Sequence, residues 1–270
     1  MISADGTRPT PLAGGTDLFV YLNAGTETAR RFLDLSRLGE LRGIRLGARE
    51  ATLGAGTTFW EIRRHAGLAA RFPSLAAAAA EIGAWQIQHR ATIGGNIANA
   101  SPAGDSLPVL LAHDARVRVA SREGQREIPF EALHTGYRKL ALAPGELITA
   151  VVIPFAPRGA VPFFRKVGTR RAQSISKVVF CGLVACDRSG RAVHARLAYG
   201  SMAPTPVRAR AAEDMLLAGA TPQKAAAAAR AALGEHLTPI DDIRSDREYR
   251  LEVAGNVLDQ FVRSLPAPKR

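Results

Sequence analysis

The chain has 270 residues, of which 47% are hydrophobic and 22% charged, values that are ordinary for a soluble globular protein. At roughly 150 residues per domain, this length predicts about two domains with a core that needs no cross-links. Lysine and arginine outnumber aspartate and glutamate by 36 to 24, a formal charge of +12, which excludes an acidic disordered tail protein. The two cysteines exclude a disulfide scaffold. They are also too few for an iron–sulfur cluster, which normally needs four cysteine ligands.

The apolar runs are too short to cross a bilayer. A transmembrane helix needs roughly 20 apolar residues, and the longest runs are Leu75–Ala80 and Val178–Cys186. The N-terminus contains no apolar core of a secretory signal, so two thiols without a signal predict a cytoplasmic protein. In a strand, Cys181 and Cys186 point to opposite faces because they lie an odd number of residues apart, and no disulfide between them is expected.

The positive charge is spread along the chain. Aromatic residues make up only 6% and do not interleave with a basic run as stacking platforms for nucleic acid do. We therefore expect no nucleic-acid partner. The alternatives are a solvated face, an interface with acidic partner subunits or a site for an anionic ligand. The six histidines are scattered without the close spacing of a zinc site.

The first half alternates short β-like runs with helical runs. Strands are predicted at Thr10–Ala13, Arg31–Leu35, Ile44–Leu46, Thr52–Gly54, Val117–Ser121, Arg126–Ile128 and Leu147–Pro154. Helices are predicted at Phe59–Ala66, Ser74–Gly83 and Leu107–Ala112, and Thr58 is a good N-cap for the first. Glycine, asparagine, serine and proline favour a loop over Thr92–Asp105.

The pattern changes after a linker predicted at Phe155–Pro162. An antiparallel set of strands is predicted at Phe163–Val167, Val178–Asp187 and Ala192–Ser201. Helices are predicted at Val207–Ala218, Pro222–Leu233 and Arg247–Leu265. Strands that precede helices indicate an α+β domain.

Two segments contain a glycine pair flanked by short polar side chains. The first is Pro11–Leu18, with the sequence PLAGGTDL, and the second is Thr92–Asp105, with the sequence TIGGNIANASPAGD. Paired glycines allow positive φ and let amides approach a ligand without an intervening Cβ. Successive amides then form an anion-binding concavity.

The polar residues beside the glycines favour a nucleotide. Thr16, Thr92, Asn96 and Ser101 offer short polar groups for phosphate or sugar oxygens. Asp17 and Asp105 do not suit phosphate, but suit donors on ribose, ribityl or adenine. Each segment alone also fits a simple tight turn, with Asp105 or Ser106 capping the helix that begins at Leu107.

Together the two segments resemble the two flavin-binding motifs of the FAD-binding (medium) subunit of the molybdenum hydroxylases, the family of xanthine dehydrogenase and carbon monoxide dehydrogenase. Thr135–Pro154 (TGYRKLALAPGELITAVVIP) is similar to the segment that closes the flavin domain. Phe164–Val178, Gly200–Glu213 and Pro239–Leu258 resemble the C-terminal domain of xanthine dehydrogenase-like members. The resemblance covers nearly the whole chain.

The resemblance implies an α+β fold. A PCMH-type FAD-binding domain of two α+β subdomains would span residues 1–157, and a C-terminal domain with an antiparallel sheet and helices would span residues 158–270. Family members usually begin with another strand and helix before the first glycine motif. Only ten residues precede Pro11 here, so we expect that strand and helix to be missing.

The resemblance also implies FAD as the cofactor and names residues that bind it. The segments that would wrap its pyrophosphate comprise Leu12, Ala13, Gly14, Gly15, Thr16, Asp17 and Leu18, and Thr92, Ile93, Gly94, Gly95 and Asn96. Asp105 would hold the sugar or adenine side. Ile82 and Ile148 fall at apolar cofactor contacts, with plain core residues as the alternative. Lys166 falls near the flavin, with a surface lysine as the alternative, and no side chain is expected to act as an acid or base.

The implied function is electron transfer in a heterotrimeric oxidoreductase. A molybdenum-cofactor subunit would oxidise the substrate and a [2Fe–2S] iron–sulfur subunit would pass the electrons on. FAD suits the next step because it accepts one or two electrons, and NAD, a quinone or oxygen would be the acceptor. Two rival functions are a stand-alone FAD-dependent oxidase, which would turn over a substrate alone, and a basic module for anions or nucleic acid, which would bind no flavin.

Overall fold

The computed structural model describes residues 8–170 and 173–266. Its strands are β1 (Thr10–Leu12), β2 (Phe32–Asp34), β3 (Ile44–Leu46), β4 (Glu50–Gly54), β5 (Arg116–Ser121), β6 (Gly124–Pro129), β7 (His134–Gly136), β8 (Lys139–Leu140), β9 (Leu147–Pro154), β10 (Val161–Val167), β11 (Val178–Cys186), β12 (Ala192–Gly200) and β13 (Val207–Arg208). Its α-helices are α1 (Leu18–Asn23), α2 (Phe59–Arg64), α3 (Ala66–Arg71), α4 (Pro73–Glu81), α5 (Trp85–Arg90), α6 (Ile93–Asn99), α7 (Leu107–Ala112), α8 (Phe130–Leu133), α9 (Arg210–Leu217), α10 (Pro222–Ala231) and α11 (Arg247–Ser264). None of these helices is both long and apolar enough to cross a bilayer.

The first domain is built on an antiparallel five-stranded sheet in the order β3-β4-β9-β5-β6. Strand β9 lies at its centre because its β-branched residues suit a pleated, buried position. Val151 of β9 pairs with Leu53 on one side and with Val117 on the other, and all three are fully buried. The buried residues of this sheet form part of the hydrophobic core against which the helices of the first domain pack.

Helices pack against the buried residues of this sheet and against each other. α6 packs against β4 and β9, and α2 packs against α4 and α5. Thr58 begins α2 with a reciprocal capping box, since its hydroxyl accepts from the Glu61 amide while the Glu61 carboxylate accepts from the Thr58 amide. All six residues of α7 are buried, because α7 packs against α4 and also against β11 and β12 of the next domain.

The second domain is an antiparallel four-stranded sheet in the order β10-β11-β12-β13, covered by α9 on β12 and by α11 on β11. Strand β11 is buried from Val178 to Ala185, which explains its unbroken apolar sequence. Its alternate residues serve two cores: Cys181 belongs to the core of the first domain, and Phe180 packs with Tyr199 and Phe261 in the second.

The N-terminal segment belongs to neither of these two sheets. β1 and β2 form a separate two-stranded parallel sheet, and α1 follows β1. No residue from 8 to 50 is buried, and the first buried side chain along the described chain is that of Ala51. This segment therefore lies on the first domain without contributing to its core.

The structure confirms most predicted strands and corrects three other predictions. Leu147–Pro154 and Ile44–Leu46 are strands with the predicted bounds. The predicted loop Thr92–Asp105 is wrong over Ile93–Asn99, which forms α6. The helix predicted from Val207 begins at Arg210, because Val207–Arg208 pairs with β12 as β13. The predicted Phe59–Ala66 helix ends at Arg64, and a second helix begins at Ala66.

Candidate functional site

The first glycine segment contains consecutive backbone amides that no other group in the described part of the chain uses. Gly15 adopts the left-handed φ of +77° that the turn requires. The amides of residues 13–17 make no hydrogen bond to any other described residue, whereas the carbonyls of Gly15 and Asp17 accept from the amides of Phe19 and Tyr21 in α1. Consecutive unused amides in a turn are an anion-binding arrangement. We call residues 13–17 the amide loop.

The second glycine segment is a helix start rather than a turn. The Thr92 hydroxyl caps α6 by accepting from the Gly95 amide at 3.0 Å. The Ile93 and Gly94 amides donate to the carbonyls of Thr57 and Ala55, at 3.0 and 2.8 Å. Neither Gly94 nor Gly95 adopts the positive φ that glycine allows.

Gly94 is required for close packing. A Cβ at Gly94 would lie 2.6 Å from the Cβ of Ala55, so a side chain would push α6 away from the end of β4. The amides of residues 93–95 thus already donate hydrogen bonds within the protein. The second segment therefore shapes the site and contributes few free donors to it.

The structure brings the two glycine segments together. A Cβ at Gly14 would lie 2.0 Å from the carbonyl oxygen of Arg90 and 3.1 Å from the Cα of Ala91. The backbone of the amide loop therefore rests directly on the residues that precede Thr92. The amide loop and the start of α6, which Thr92 caps, are therefore neighbours in space.

Asn96 and Ser101 shape the loop between α6 and α7. The Ser106 hydroxyl donates to Asn96 Oδ1 at 2.7 Å, which leaves the Asn96 side-chain nitrogen without a partner among the described residues. Ser101 accepts from the amides of Ala103 and Gly104, through its hydroxyl and its carbonyl oxygen. These turns place Asp105 just before α7.

Asp105 and Lys166 form a buried ion pair. Lys166 Nζ lies 2.6 Å from Asp105 Oδ2 and 3.1 Å from the carbonyl oxygen of Glu81. The side chain of Lys166 is only 3% exposed and that of Asp105 only 8%. Lys166 is therefore not the surface lysine of the alternative interpretation. Burial raises the pKa of Asp105 to about 6, although the Lys166 ammonium acts to lower it. The second carboxylate oxygen, Oδ1, is buried and has no hydrogen-bond partner among the residues that the structure describes; it is an unused acceptor in the site.

Ile82 and Ile148 are both 8% exposed and belong to the core cluster of the first domain. Ile82 ends α4, and its carbonyl oxygen accepts from the side chain of Gln88. Ile148 lies on β9 opposite Val119 of β5. A role for either residue in cofactor contact stays a prediction.

Sequence reasoning missed three residues that connect the site. Tyr21 of α1 bonds to Asn99, the last residue of α6, and to Arg138, in the turn between β7 and β8. Arg138 has a left-handed φ of +53°. Its segment carried part of the family resemblance, but no sequence signal linked the three positions. The described residues contain no cluster of three histidine, cysteine or acidic side chains that could hold a metal ion.

Comparison with known proteins identifies the family to which this fold and these two glycine segments belong. Residues 2–156 match the family model of the FAD-binding domain in molybdopterin dehydrogenase, and residues 163–265 match the C-terminal domain of the CO dehydrogenase flavoprotein. The chain belongs to the FAD-binding flavoprotein subunits of the molybdenum hydroxylase family, which are subunits of oxidoreductase complexes.

Relatives are similar over almost the whole chain. The xanthine dehydrogenase FAD-binding subunit of Escherichia coli O157:H7 is 32% identical over 96% of this chain and 89% of its own length. The carbon monoxide dehydrogenase medium chain of Afipia carboxidovorans is 31% identical over 95% and 88%. A solved carbon monoxide dehydrogenase from Hydrogenophaga pseudoflava, which lacks the Mo-pyranopterin moiety of its molybdenum cofactor, superposes with a TM-score of 0.91 at 27% identity, covering 98% of this chain and 90% of that one. The predicted family, α+β fold class and FAD cofactor are thereby confirmed.

Proposed function

We propose that this chain is the electron-transfer subunit of a three-subunit molybdenum hydroxylase. It would receive electrons from a [2Fe–2S] subunit, after a molybdenum-cofactor subunit has oxidised the substrate, and pass them to NAD or another acceptor. When bound, FAD supplies the exchange between one-electron and two-electron chemistry. The support is the family membership together with the cysteine count, since two cysteines cannot ligate an iron–sulfur cluster in this chain.

The observation that carries the FAD assignment is the amide loop. Five consecutive amides, those of residues 13–17, have no hydrogen-bond partner within residues 8–170 and 173–266, and backbone amides in such a turn suit the diphosphate of FAD. The Asn96 nitrogen and the Thr16 hydroxyl add side-chain donors. Since the Ile93, Gly94 and Gly95 amides are occupied, we assign these residues the task of shaping the site.

The remaining predicted residues would hold the rest of the cofactor. The unpartnered Oδ1 of Asp105 would accept from a sugar hydroxyl or from adenine. Lys166 would keep that carboxylate ionised and oriented. Ile82 and Ile148 would offer apolar contacts, and Ser101 a polar one. None of these groups needs to exchange a proton during electron transfer.

The organisation of the chain follows from the same proposal. A flavin domain would span residues 1–157 and the C-terminal domain residues 158–270, which is consistent with the two matched family models. Cys181 and Cys186 are both free thiols, as expected in the reducing cytoplasm, where we place the protein. Part of the charge of +12 would face the partner subunits.

The test compares three flavins on the chain stripped of cofactor. If the amide loop binds a diphosphate, FAD should bind at least tenfold more tightly than FMN, which has one phosphate, and riboflavin should bind least, as measured by flavin fluorescence quenching. Equal affinity for riboflavin and FAD would overturn the assignment of the amide loop. Turnover of a substrate by the FAD-loaded chain alone would instead support the stand-alone oxidase.

The electron-transfer step has its own test. The FAD-loaded chain should co-elute with the [2Fe–2S] and molybdenum subunits of its complex, and the flavin should be reduced on substrate addition only when both are present. Flavin reduction by the substrate without those subunits would contradict the proposed route. NAD, a quinone or oxygen is then added separately to the reduced complex. The compound that restores the oxidised flavin spectrum is the acceptor.

A further inference from the structure

The segment that carries the amide loop is weakly anchored. Residues 8–38 contain β1, α1 and β2, and none of them is buried. Phe19 and Val20 of α1 remain 56% and 59% exposed. Burial of apolar surface is the main contribution that stabilises packing. This segment buries little apolar surface, so little free energy holds the amide loop in place.

One side chain ties this segment to two other parts of the first domain. The Tyr21 hydroxyl donates to Asn99 Oδ1 at 3.0 Å and accepts from Arg138 Nη1 at 2.6 Å. Asn99 ends α6, the helix that begins at the second glycine segment. Arg138 lies in the turn between β7 and β8, 117 residues from Tyr21. The hydroxyl therefore connects three separate segments at one point.

The backbone at Arg138 provides a second, independent observation. Its φ of +53° lies in the left-handed region, which residues other than glycine rarely adopt. Its guanidinium carbon lies 5.0 Å from the centre of the Tyr21 ring, in the range of a cation–π contact. Strained backbone of this kind persists only where the surroundings hold it, and it clusters at ligand clamps.

We propose that Tyr21, Asn99 and Arg138 form a latch that slows the release of FAD. The latch holds α1, and with it the amide loop, against α6; when it opens, residues 8–38 can move away from α6 and free the diphosphate. This inference rests on the proposed binding of the diphosphate by the amide loop. The three residues are positioning residues, because they act on the cofactor through the backbone of residues 13–17.

The test is the rate of FAD dissociation from Tyr21→Phe, which keeps the ring and removes the hydroxyl. We expect dissociation to be roughly tenfold faster, since two hydrogen bonds are lost and one involves a charged donor. The melting temperature of the apoprotein and the absorption spectrum of the bound flavin should not change. Tyr249→Phe is the matched control, because Tyr249 is a partly exposed tyrosine of α11 in the other domain.

A double variant tests whether the three residues act as one unit. Arg138→Ala should also accelerate release, but by less than Tyr21→Phe, because the hydrogen bond from Tyr21 to Asn99 remains. Adding Arg138→Ala to Tyr21→Phe should change the rate little further, because Tyr21→Phe has already removed the hydrogen bond that the two residues share. Additive effects would show that the residues act separately and would overturn the latch.

The outcomes separate the latch from the site itself. If the wild-type chain binds no FAD, the proposed function fails before the latch is tested. If the wild type holds FAD and Tyr21→Phe releases it at the same rate, the latch is wrong while the FAD assignment stands. A shifted flavin spectrum would make Tyr21 a direct contact of the flavin, and a lower apoprotein melting temperature would make it a structural residue; either result overturns the proposal.

Discussion

Lys166 Nζ and Asp105 Oδ2 lie 2.6 Å apart and join the two domains inside the protein. Lys166 belongs to β10 of the second domain, and Asp105 precedes α7 of the first. Both side chains are almost fully removed from water, so each depends on the other for charge compensation. Lys166 also ties β10 to the end of α4, because its ammonium group donates to the carbonyl oxygen of Glu81.

Removing the lysine should destabilise the protein strongly. Lys166→Met leaves the Asp105 carboxylate buried without any partner, and we expect the free energy of unfolding to fall by about 3–5 kcal/mol in denaturant titrations. The control is Arg247→Met, which breaks the exposed pair with Asp241 and should change stability by less than about 1 kcal/mol. Equal effects of the two substitutions would contradict the structural role of the buried pair.

The raised pKa of Asp105 predicts a pH dependence with a definite sign. The folded-state pKa is about 6, whereas an unfolded aspartate titrates near 3.9. Between these values the folded protein binds more protons, so its stability falls as pH rises from about 4 to about 6 and then levels off. Asp105→Asn lacks this loss but keeps an acceptor for Lys166.

The measurement is the free energy of unfolding of both proteins across that pH range. Wild type should lose on the order of 3 kcal/mol relative to Asp105→Asn as pH rises through the window. Buried His113, whose pKa is lowered to about 4 by burial, titrates in both proteins, and its contribution cancels in the difference. A difference that does not vary with pH would show that Asp105 has an ordinary pKa.

Closing the space at Gly14 should weaken cofactor binding. The Cβ of Gly14→Ala would meet the Arg90 carbonyl oxygen, so the amide loop must move away from the end of α5, at a cost typical of overpacking. We expect the FAD dissociation constant to rise roughly 5- to 150-fold, as measured by fluorescence titration. Gly39→Ala is the matched control, since nothing lies within 4 Å of its Cβ; loss of FAD from both variants would refute the specific role of Gly14.

A second buried ion pair should be as important as the first. Glu213 accepts from Arg208 with both carboxylate oxygens and from the Leu197 amide, and both charged side chains are about 5% exposed. Glu213→Ala leaves the Arg208 guanidinium with only Asp114 and should cost about 3–5 kcal/mol of unfolding free energy.

The matched control for Glu213 is Glu131. Glu131 pairs with Arg210, but both side chains are half exposed, so Glu131→Ala should cost less than about 1 kcal/mol. Chemical denaturation of the two variants at one pH checks the contrast. Similar losses would mean that burial does not determine the strength of these pairs.

The strands and helix caps could be predicted because their signals are local. The β-branched run Leu147–Pro154 is a strand with the predicted bounds, and Thr58 caps its helix as predicted. By contrast, α1, α3 and α5 were not predicted. Each has only six residues, and helices this short depend on tertiary packing for their stability. The equally short α2 and α7 were predicted, so length alone does not decide which helices the sequence reveals.

Helix α6 shows why a local rule failed. Glycine and asparagine have low helix propensity, and four of the seven residues of Ile93–Asn99 are of these types. The helix forms because the Ile93 and Gly94 amides bond to Thr57 and Ala55 on a neighbouring segment. These contacts outweigh the propensity, and only a glycine fits beside Ala55 at position 94.

The sequence by itself determined the family, the α+β class and the two glycine segments, because these reside in contiguous residues whose chemistry can be read locally. Only the tertiary structure decided which amides remain free and which the protein uses itself. It alone paired Asp105 with Lys166, 61 residues further along, and Tyr21 with Arg138, 117 residues further. Such pairs depend on how separate segments pack, and burial then sets the strength of each interaction.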